Sequence, residues 1–302
     1  MKLYDVIIIG GGPAGLNAAV VLGRCRRTVL LFDTGKQRNR FSNGLRNYLT
    51  RDNILPTDFI KLANQEIKKY GVFINRLEVV EAEKLQTDIF AVKDKTGSNH
   101  YSKKLLIATG LRDNIPLIEG IEFFYGKSVF HCPYCDGWEV KDRDIGVYAK
   151  NKNGFEMAIS LKTWSKQVTI FTDGRNYLKP LEKEELKKKS IKIIAEKIVR
   201  LEGKNGRLTN IIFNGYKKQH CDALFFVNGY GQQCDIAKSL GCRMNKKGIV
   251  ITNRLQQADI PGLYVAGDAS KDVQFVVVAA AEGAKAGVSI NKELQKEDFK
   301  GG

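Results

Sequence analysis

Two thiols two residues apart, with a carboxylate directly after them, stand in the run His131-Cys132-Pro133-Tyr134-Cys135-Asp136-Gly137-Trp138-Glu139. A thiolate is the nucleophile of disulfide exchange, and in Cys-x-x-Cys the second sulfur closes onto the first with little backbone movement. The chemistry this suggests is electron transfer through a disulfide, with Asp136 giving or taking the proton. A cationic His131 would lower the pKa of the neighbouring thiol and favour the thiolate; its plainer role is to cap a backbone group. Half of a zinc site or two core cysteines are the competing readings of the pair. Zinc wants four ligands, and Cys25, Cys221, Cys234 and Cys242 include no second close pair, with only His100, His131 and His220 as imidazoles, so no metal is expected. Those four cysteines read as structural, small apolar side chains.

The elements that must carry this chemistry begin at the N-terminus. Tyr4 to Ile9 reads as a buried strand, Gly10-Gly11-Gly12-Pro13-Ala14-Gly15 as a turn, and Leu16 to Leu22 as a small-residue helix. The spacing Gly10-x-Gly12-x-x-Gly15 permits a tight turn, close approach of backbone to a pyrophosphate, and helix-on-sheet packing. A second strand, Thr28 to Phe32, ends in Asp33, a carboxylate placed to hold a ribose hydroxyl. These pieces predict a dinucleotide site.

At 302 residues the chain suggests two domains, and its composition is globular. No apolar stretch reaches the roughly 18 residues of a membrane helix and no signal pattern opens the chain, so no membrane association and a cytoplasmic location are expected. Six cysteines are too sparse for a disulfide framework. The formal charge of +16 is spread along the chain, clustered mainly at Lys183 to Lys189 and without an aromatic platform beside it. Nucleic acid is therefore not the expected partner, and an acidic protein suits the charge better. Phe123-Phe124 and Trp138 either line a substrate groove or belong to the core.

Gly10 to Gly15, Leu106-Ile107-Ala108-Thr109-Gly110, the Cys-x-x-Cys and the late Val265-Ala266-Gly267-Asp268 together resemble the low-molecular-weight thioredoxin reductase family, in the family's order and over nearly the whole chain. The resemblance implies an α/β protein of two Rossmann-like three-layer nucleotide-binding domains, the second inserted into the first. Residues 1–112 and 232–302 would form the FAD-binding domain and 113–231 the insertion carrying Cys-x-x-Cys. By the same resemblance the glycine loop, Ala108, Thr109, Gly110, Gly267 and Asp268 hold FAD, with Asp268 on the ribityl and phosphate side. Cys135 is the flavin-facing thiol, Cys132 exchanges with substrate, Asp136 is the acid and base, and Gln274 lies near the isoalloxazine. A homodimer is implied. The form Cys-Pro-Tyr-Cys-Asp-Gly-Trp-Glu, with Ala269-Ser270-Lys271-Asp272-Val273-Gln274, is most similar to a thioredoxin-reductase-like branch that includes dithiol oxidases of antibiotic biosynthesis.

The inserted domain departs from the family at its own nucleotide motif. After the strand near Ile145, the places of Gly-x-Gly-x-x-Gly or Gly-x-Gly-x-x-Ala hold Ala149, Asn151 and Gly154, and the side chains that replace glycine there would crowd a pyrophosphate. Beyond the strand Gln167 to Phe171, the family's His-Arg-Arg cluster is replaced by Thr172-Asp173-Gly174-Arg175, and Asp173 puts a negative charge where a 2'-phosphate would sit. Lys150 and Lys152 compensate in part. The pattern disfavours NADPH more than NADH.

Three electron paths stay open: NAD(P)H through an atypical site to a thioredoxin-like protein or small disulfide; an acidic carrier such as ferredoxin or flavodoxin as donor; or a dithiol oxidised through FAD by oxygen. A redox-sensing flavoprotein without catalysis is the non-enzyme alternative, and the intact dithiol beside Asp136 argues against it.

Overall fold

In the computed structural model residues 2–271 and 273–300 are described, so Asp272 of the late motif lies outside the described residues. The chain divides into two compact units, one of residues 1–40, 47–112 and 231–302 and the other of residues 41–46 and 113–230.

The first unit is built on a parallel sheet in the order Phe73–Asn75, Val29–Phe32, Leu3–Ile9, Asn99–Ile107, Leu263–Val265. Val6, Ile7, Ile8, Val29 and Leu31 have no exposed surface, as expected of apolar runs covered on both faces. The nine-residue strand Asn99–Ile107 joins the parallel and antiparallel parts of this single seven-stranded sheet. Leu3–Ile9 pairs with it from Tyr101 to Ile107, while its start pairs antiparallel with Phe90–Asp94, itself paired with Val79–Lys84, and its end pairs parallel with Leu263–Val265. One face of the sheet packs on the helices Pro13–Arg24, Pro56–Lys68 and Val276–Lys300, the other on residues of the antiparallel strands and of the 236–258 region.

The first helix is longer than the sequence suggests, Pro13–Arg24 rather than Leu16 to Leu22, because Pro13 starts it with a preset φ and no N–H to satisfy. It is crossed closely by the last helix. A Cβ at Gly283 would fall 1.9 Å from Ala14 O and one at Gly287 2.9 Å from Val21 Cβ, so glycine at these two places lets the backbones touch.

The second unit has its own parallel sheet, ordered Lys192–Ile194, Val168–Phe171, Ile145–Ala149, Ala223–Val227, Val129–Phe130. The helices Asn153–Leu161 and Pro180–Lys188 cross between its strands, and an antiparallel sheet of Ile198–Lys204, Arg207–Phe213 and Lys218–His220 covers further core. The lysine-rich 183–189 stretch is largely exposed on the Pro180–Lys188 helix and its C-cap, with Leu186 as the anchor in the core. The aromatic pair splits: Phe124 is core and Phe123 is exposed. Cys221 is buried, as a small apolar side chain would be, between the strands Lys218–His220 and Ala223–Val227. Cys25, at the C-cap of the first helix, is exposed, because the apolar face of that helix ends before it.

No helix among the described residues is long and apolar enough to cross a membrane.

Candidate functional site

The glycine turn of the first unit has the form a dinucleotide requires. Gly10 adopts φ +115°, and a Cβ there would lie 2.2 Å from Ala108 O; at Gly15 it would lie 1.9 Å from Gly10 O. At Gly12 it would meet nothing within 4 Å, so the space in front of the Pro13–Arg24 helix is open. No side chain caps this N-terminus and no acidic residue occupies its first turn. An uncapped helix start with unspent N–H groups and a positive dipole end suits a pyrophosphate, and the cradle therefore fits FAD.

Its surroundings are drawn from distant parts of the chain. Ala108 N donates to Ile9 O at 2.8 Å, which seats Ala108, Thr109 and Gly110 (φ +72°) beside the turn. Asp33 is buried at the end of Val29–Phe32; it accepts from Gly35 N at 3.0 Å and Gln37 Nε2 at 3.1 Å and pairs with Arg76. Gly267 has φ +78°, and a Cβ on it would be 2.9 Å from Ala14 Cβ, which places Asp268 against the start of the first helix. Arg38 reaches both Asp268 Oδ2, at 3.5 Å, and Gln274 Oε1. The structure thus brings Gly10, Gly12, Pro13, Ala14, Gly15, Asp33, Ala108, Thr109, Gly110, Gly267, Asp268 and Gln274 into one region. Arg38, Gln37 and Arg76 join them, which the sequence reading missed, since nothing in their local spacing marks them.

In the second unit Cys132 and Cys135 form a disulfide, with Cα atoms 5.3 Å apart. Cys132 is the N-cap of the short helix Pro133–Asp136, and Cys135 N donates to its Sγ at 3.2 Å. Withdrawal of the Asp136 carboxyl from water, reinforced by Glu139, pushes its pKa up to about 7 against the opposing pull of Arg46. Arg46 Nε pairs with Glu139 Oε1 at 2.8 Å. A carboxyl with this pKa can give or take a proton near neutrality.

His131 presents Nδ1 to Asp113 Oδ2 at 3.6 Å. Asp113, 2% exposed, also accepts from Tyr125 OH at 2.5 Å. The ring therefore faces a carboxylate, and Asp113 is a partner the sequence did not flag. Tyr134 and Trp138 are each 66% exposed beside the dithiol. Tyr134 stands edge-on to Trp164, and Gly137 lets Trp164 pack closely, since a Cβ there would be 2.7 Å from the indole.

The second glycine-turn position is filled by the chain itself. Asn151 Oδ1 accepts from Asn153 N at 3.0 Å, spending an N–H at the start of Asn153–Leu161. Ala149 is wholly buried, and a Cβ at Gly154 would lie 2.4 Å from Tyr177 OH. Lys150 Nζ pairs with Asp173 Oδ2 at 2.7 Å, and Asp173 also accepts from Tyr148 OH at 3.1 Å and Ile198 N at 2.8 Å. Burial works to raise the pKa of Asp173, but these donors hold it below the ordinary value. Of the two lysines that the sequence offered as compensation for Asp173, Lys150 is consumed by it.

Comparison with known proteins agrees with this geometry. The model of the pyridine nucleotide-disulphide oxidoreductase family matches residues 4–283. The chain is 30% identical to thioredoxin reductase tcpT of Claviceps purpurea, over 97% of this chain and 95% of that protein. It is 29% identical to a probable thioredoxin reductase of Arthroderma benhamiae, over 97% and 81%. Among solved structures, the putative thioredoxin reductase TrxB of Bacillus anthracis superposes with a TM-score of 0.93 at 32% identity, covering 98% of this chain and 100% of that one. HlmI gives 0.94 at 31%, covering 99% and 94%. An uncapped dinucleotide turn in one unit, a Cys-x-x-Cys-Asp in the other and this breadth of likeness have one meaning: the chain belongs to the pyridine nucleotide-disulphide oxidoreductases as a thioredoxin reductase-like, FAD-binding enzyme.

Proposed function

We propose that this enzyme exchanges electrons between FAD and a substrate disulfide or dithiol through Cys132 and Cys135, and that a nicotinamide coenzyme is not its efficient redox partner. The observation that carries this reading is the contrast between two helix starts. In front of Pro13–Arg24 the N–H groups are uncapped and Gly12 leaves open space, whereas in front of Asn153–Leu161 the Asn151 side chain takes a donor and Lys150 is held by Asp173. We assign residues 1–112 and 232–302 to the FAD-binding domain and 113–231 to the inserted, nicotinamide-type domain.

FAD, when bound, supplies the two-electron donor or acceptor for the dithiol. Gly10, Gly12, Pro13, Ala14 and Gly15 hold its pyrophosphate, Asp33 a ribose hydroxyl, Asp268 the ribityl and phosphate side, and Ala108, Thr109, Gly110 and Gln274 line the remainder. In the reductive direction the Cys132 thiolate attacks the substrate disulfide and expels one of its sulfurs as a thiolate. Cys135 then attacks the mixed disulfide, which releases the second substrate thiolate and re-forms the Cys132–Cys135 bond. Asp136 carries the proton for these thiolates, and His131, faced by Asp113, favours the anionic form of Cys132.

The names of the relatives support a thioredoxin-like protein or a small disulfide as substrate. The net charge of +16 supports an acidic carrier, such as a ferredoxin or flavodoxin, as electron donor. The same residues run in reverse make a dithiol oxidase with oxygen as acceptor. Cytoplasmic location and a homodimer complete the reading by family likeness.

An anaerobic titration of the FAD-loaded protein, followed by flavin absorbance, tests it. Dithionite or a dithiol should bleach the flavin while stoichiometric NADPH and NADH leave it oxidised. Rapid stoichiometric bleaching by either coenzyme would overturn the proposal and make the enzyme a nicotinamide-dependent disulfide reductase.

A further inference from the structure

The carboxylates of Asp144 and Asp222 and the imidazole of His220 meet on the surface of the second unit. Each residue offers one ligand atom, and these atoms all lie within 4.8 Å of one another. His220 Nε2 stands 3.5 Å from Asp222 Oδ2 and 3.7 Å from Asp144 Oδ2. Ligands about 2.0 Å from a zinc-sized ion in a tetrahedron stand about 3.3 Å apart, so the two imidazole–carboxylate spacings are already close to those of ligands that share one ion.

The fold sets this triad. Asp144 and Asp222 immediately precede the adjacent parallel strands Ile145–Ala149 and Ala223–Val227, whose register begins with Ala223 opposite Ile145. Asp222 N donates to Asp144 O at 2.9 Å and Asp144 N to Asp222 Oδ2 at 3.1 Å, which locks the pair side by side. His220 ends the Lys218–His220 strand of the antiparallel sheet. Cys221 between them turns inward and donates Sγ–H to Ala223 O at 3.0 Å, leaving His220 and Asp222 to face outward together.

Two further observations separate the cluster from an ordinary patch of surface acids. Gln167, with its amide nitrogen toward the carboxylate, donates to Asp144 Oδ1 at 2.8 Å and Oδ2 at 3.3 Å, bracing a ligand as outer groups do at metal centres. On a chain with 49 lysines and arginines, neither Asp144 nor Asp222 has a lysine or arginine partner among the described residues; the only cation the fold brings to them is His220, and only when it is protonated. Imidazole with two carboxylates is a donor set for a divalent transition ion with an open position for water.

We propose that Asp144, His220 and Asp222 bind one divalent transition metal ion of the zinc class, which ties the end of the Lys218–His220 strand of the antiparallel sheet to the start of the Ile145–Ala149 strand of the parallel sheet. The site is independent of the flavin and the dithiol.

Isothermal titration of Zn2+ into the FAD-loaded full chain tests it, with the Cys132–Cys135 disulfide kept oxidised and Cys25→Ser as background so that thiols cannot compete. The expected result is one saturable site and a raised melting temperature. Affinity should fall at least tenfold in His220→Ala and in Asp222→Asn, and about tenfold in Gln167→Leu, which touches no ion. Melting temperatures of the variants in chelator, equal to the parent's, show that they fold. Absence of a saturable site, or an affinity unchanged in His220→Ala, would overturn the proposal.

Discussion

Asp136 follows the dithiol directly, and its carboxyl is drawn away from water. Its pKa of about 7 lies well above the ordinary 3.8, so burial and Glu139 favour the neutral acid below pH 7 and the carboxylate only above it. Thiol–disulfide exchange at Cys132 and Cys135 should therefore change across pH 6 to 8 with an inflection near 7. Stopped-flow exchange with a small disulfide should lose that inflection in Asp136→Asn and slow by about 100-fold. Linkage gives a second readout. A carboxyl whose folded pKa is raised contributes its full stability below its ordinary value and loses it as pH rises through about 7. Thermal denaturation should show Asp136→Asn gaining melting temperature over wild type at pH 8 and gaining less at pH 5. An equal gain at both would mean that Asp136 is not held neutral by the fold.

At the scale of elements, the cradle in front of Pro13–Arg24 depends on its contact with the last helix. The Cβ of Gly283→Ala would fall 1.9 Å from Ala14 O, inside the first turn of the nucleotide helix, so one of the two helices must shift. Overpacking of this kind costs about 1–3 kcal/mol. Because the displaced segment carries the glycine turn, the variant should melt lower and also leave purification with a reduced ratio of flavin to protein absorbance. Val288→Ala, on the exposed side of the same helix, should change neither. A Gly283→Ala protein with full flavin content would show that the crossing does not position the cradle. The element boundaries were legible in the sequence wherever a buried apolar run met a turn residue. Leu3–Ile9 and Val29–Phe32 fall close to where their apolar runs put them. The first helix was read short, because its first turn, Pro13-Ala14-Gly15, carries residues that signal a turn as strongly as a helix start.

For the molecule as a whole the dominant quantity is charge, +16 at neutral pH with a pI near 9.5. A field of this sign steers acidic proteins and is screened within about 10 Å at 0.1 M salt. Flavin reduction by an acidic carrier protein should slow at least tenfold between about 0.01 and about 0.3 M salt, while exchange with a small neutral dithiol should change by less than about twofold. A salt-insensitive carrier reaction would remove the charge as an argument for that class of donor. What the sequence determined by itself is what depends on short covalent spacing: the glycine turn with its strand and helix, the two thiols and the acid after them, and the replacement of glycines at Ala149 and Asn151. Each is complete within a few residues, so residue type and spacing suffice to state it. The tertiary structure decided which groups face those motifs. Asp113 meets His131, Arg46 with Glu139 flanks Asp136, Arg38 joins Asp268 to Gln274, and Lys150 goes to Asp173 rather than to a phosphate. These contacts join residues up to 236 positions apart. Which distant groups meet is set by how sheets and helices pack, a long-range outcome that local spacing does not encode.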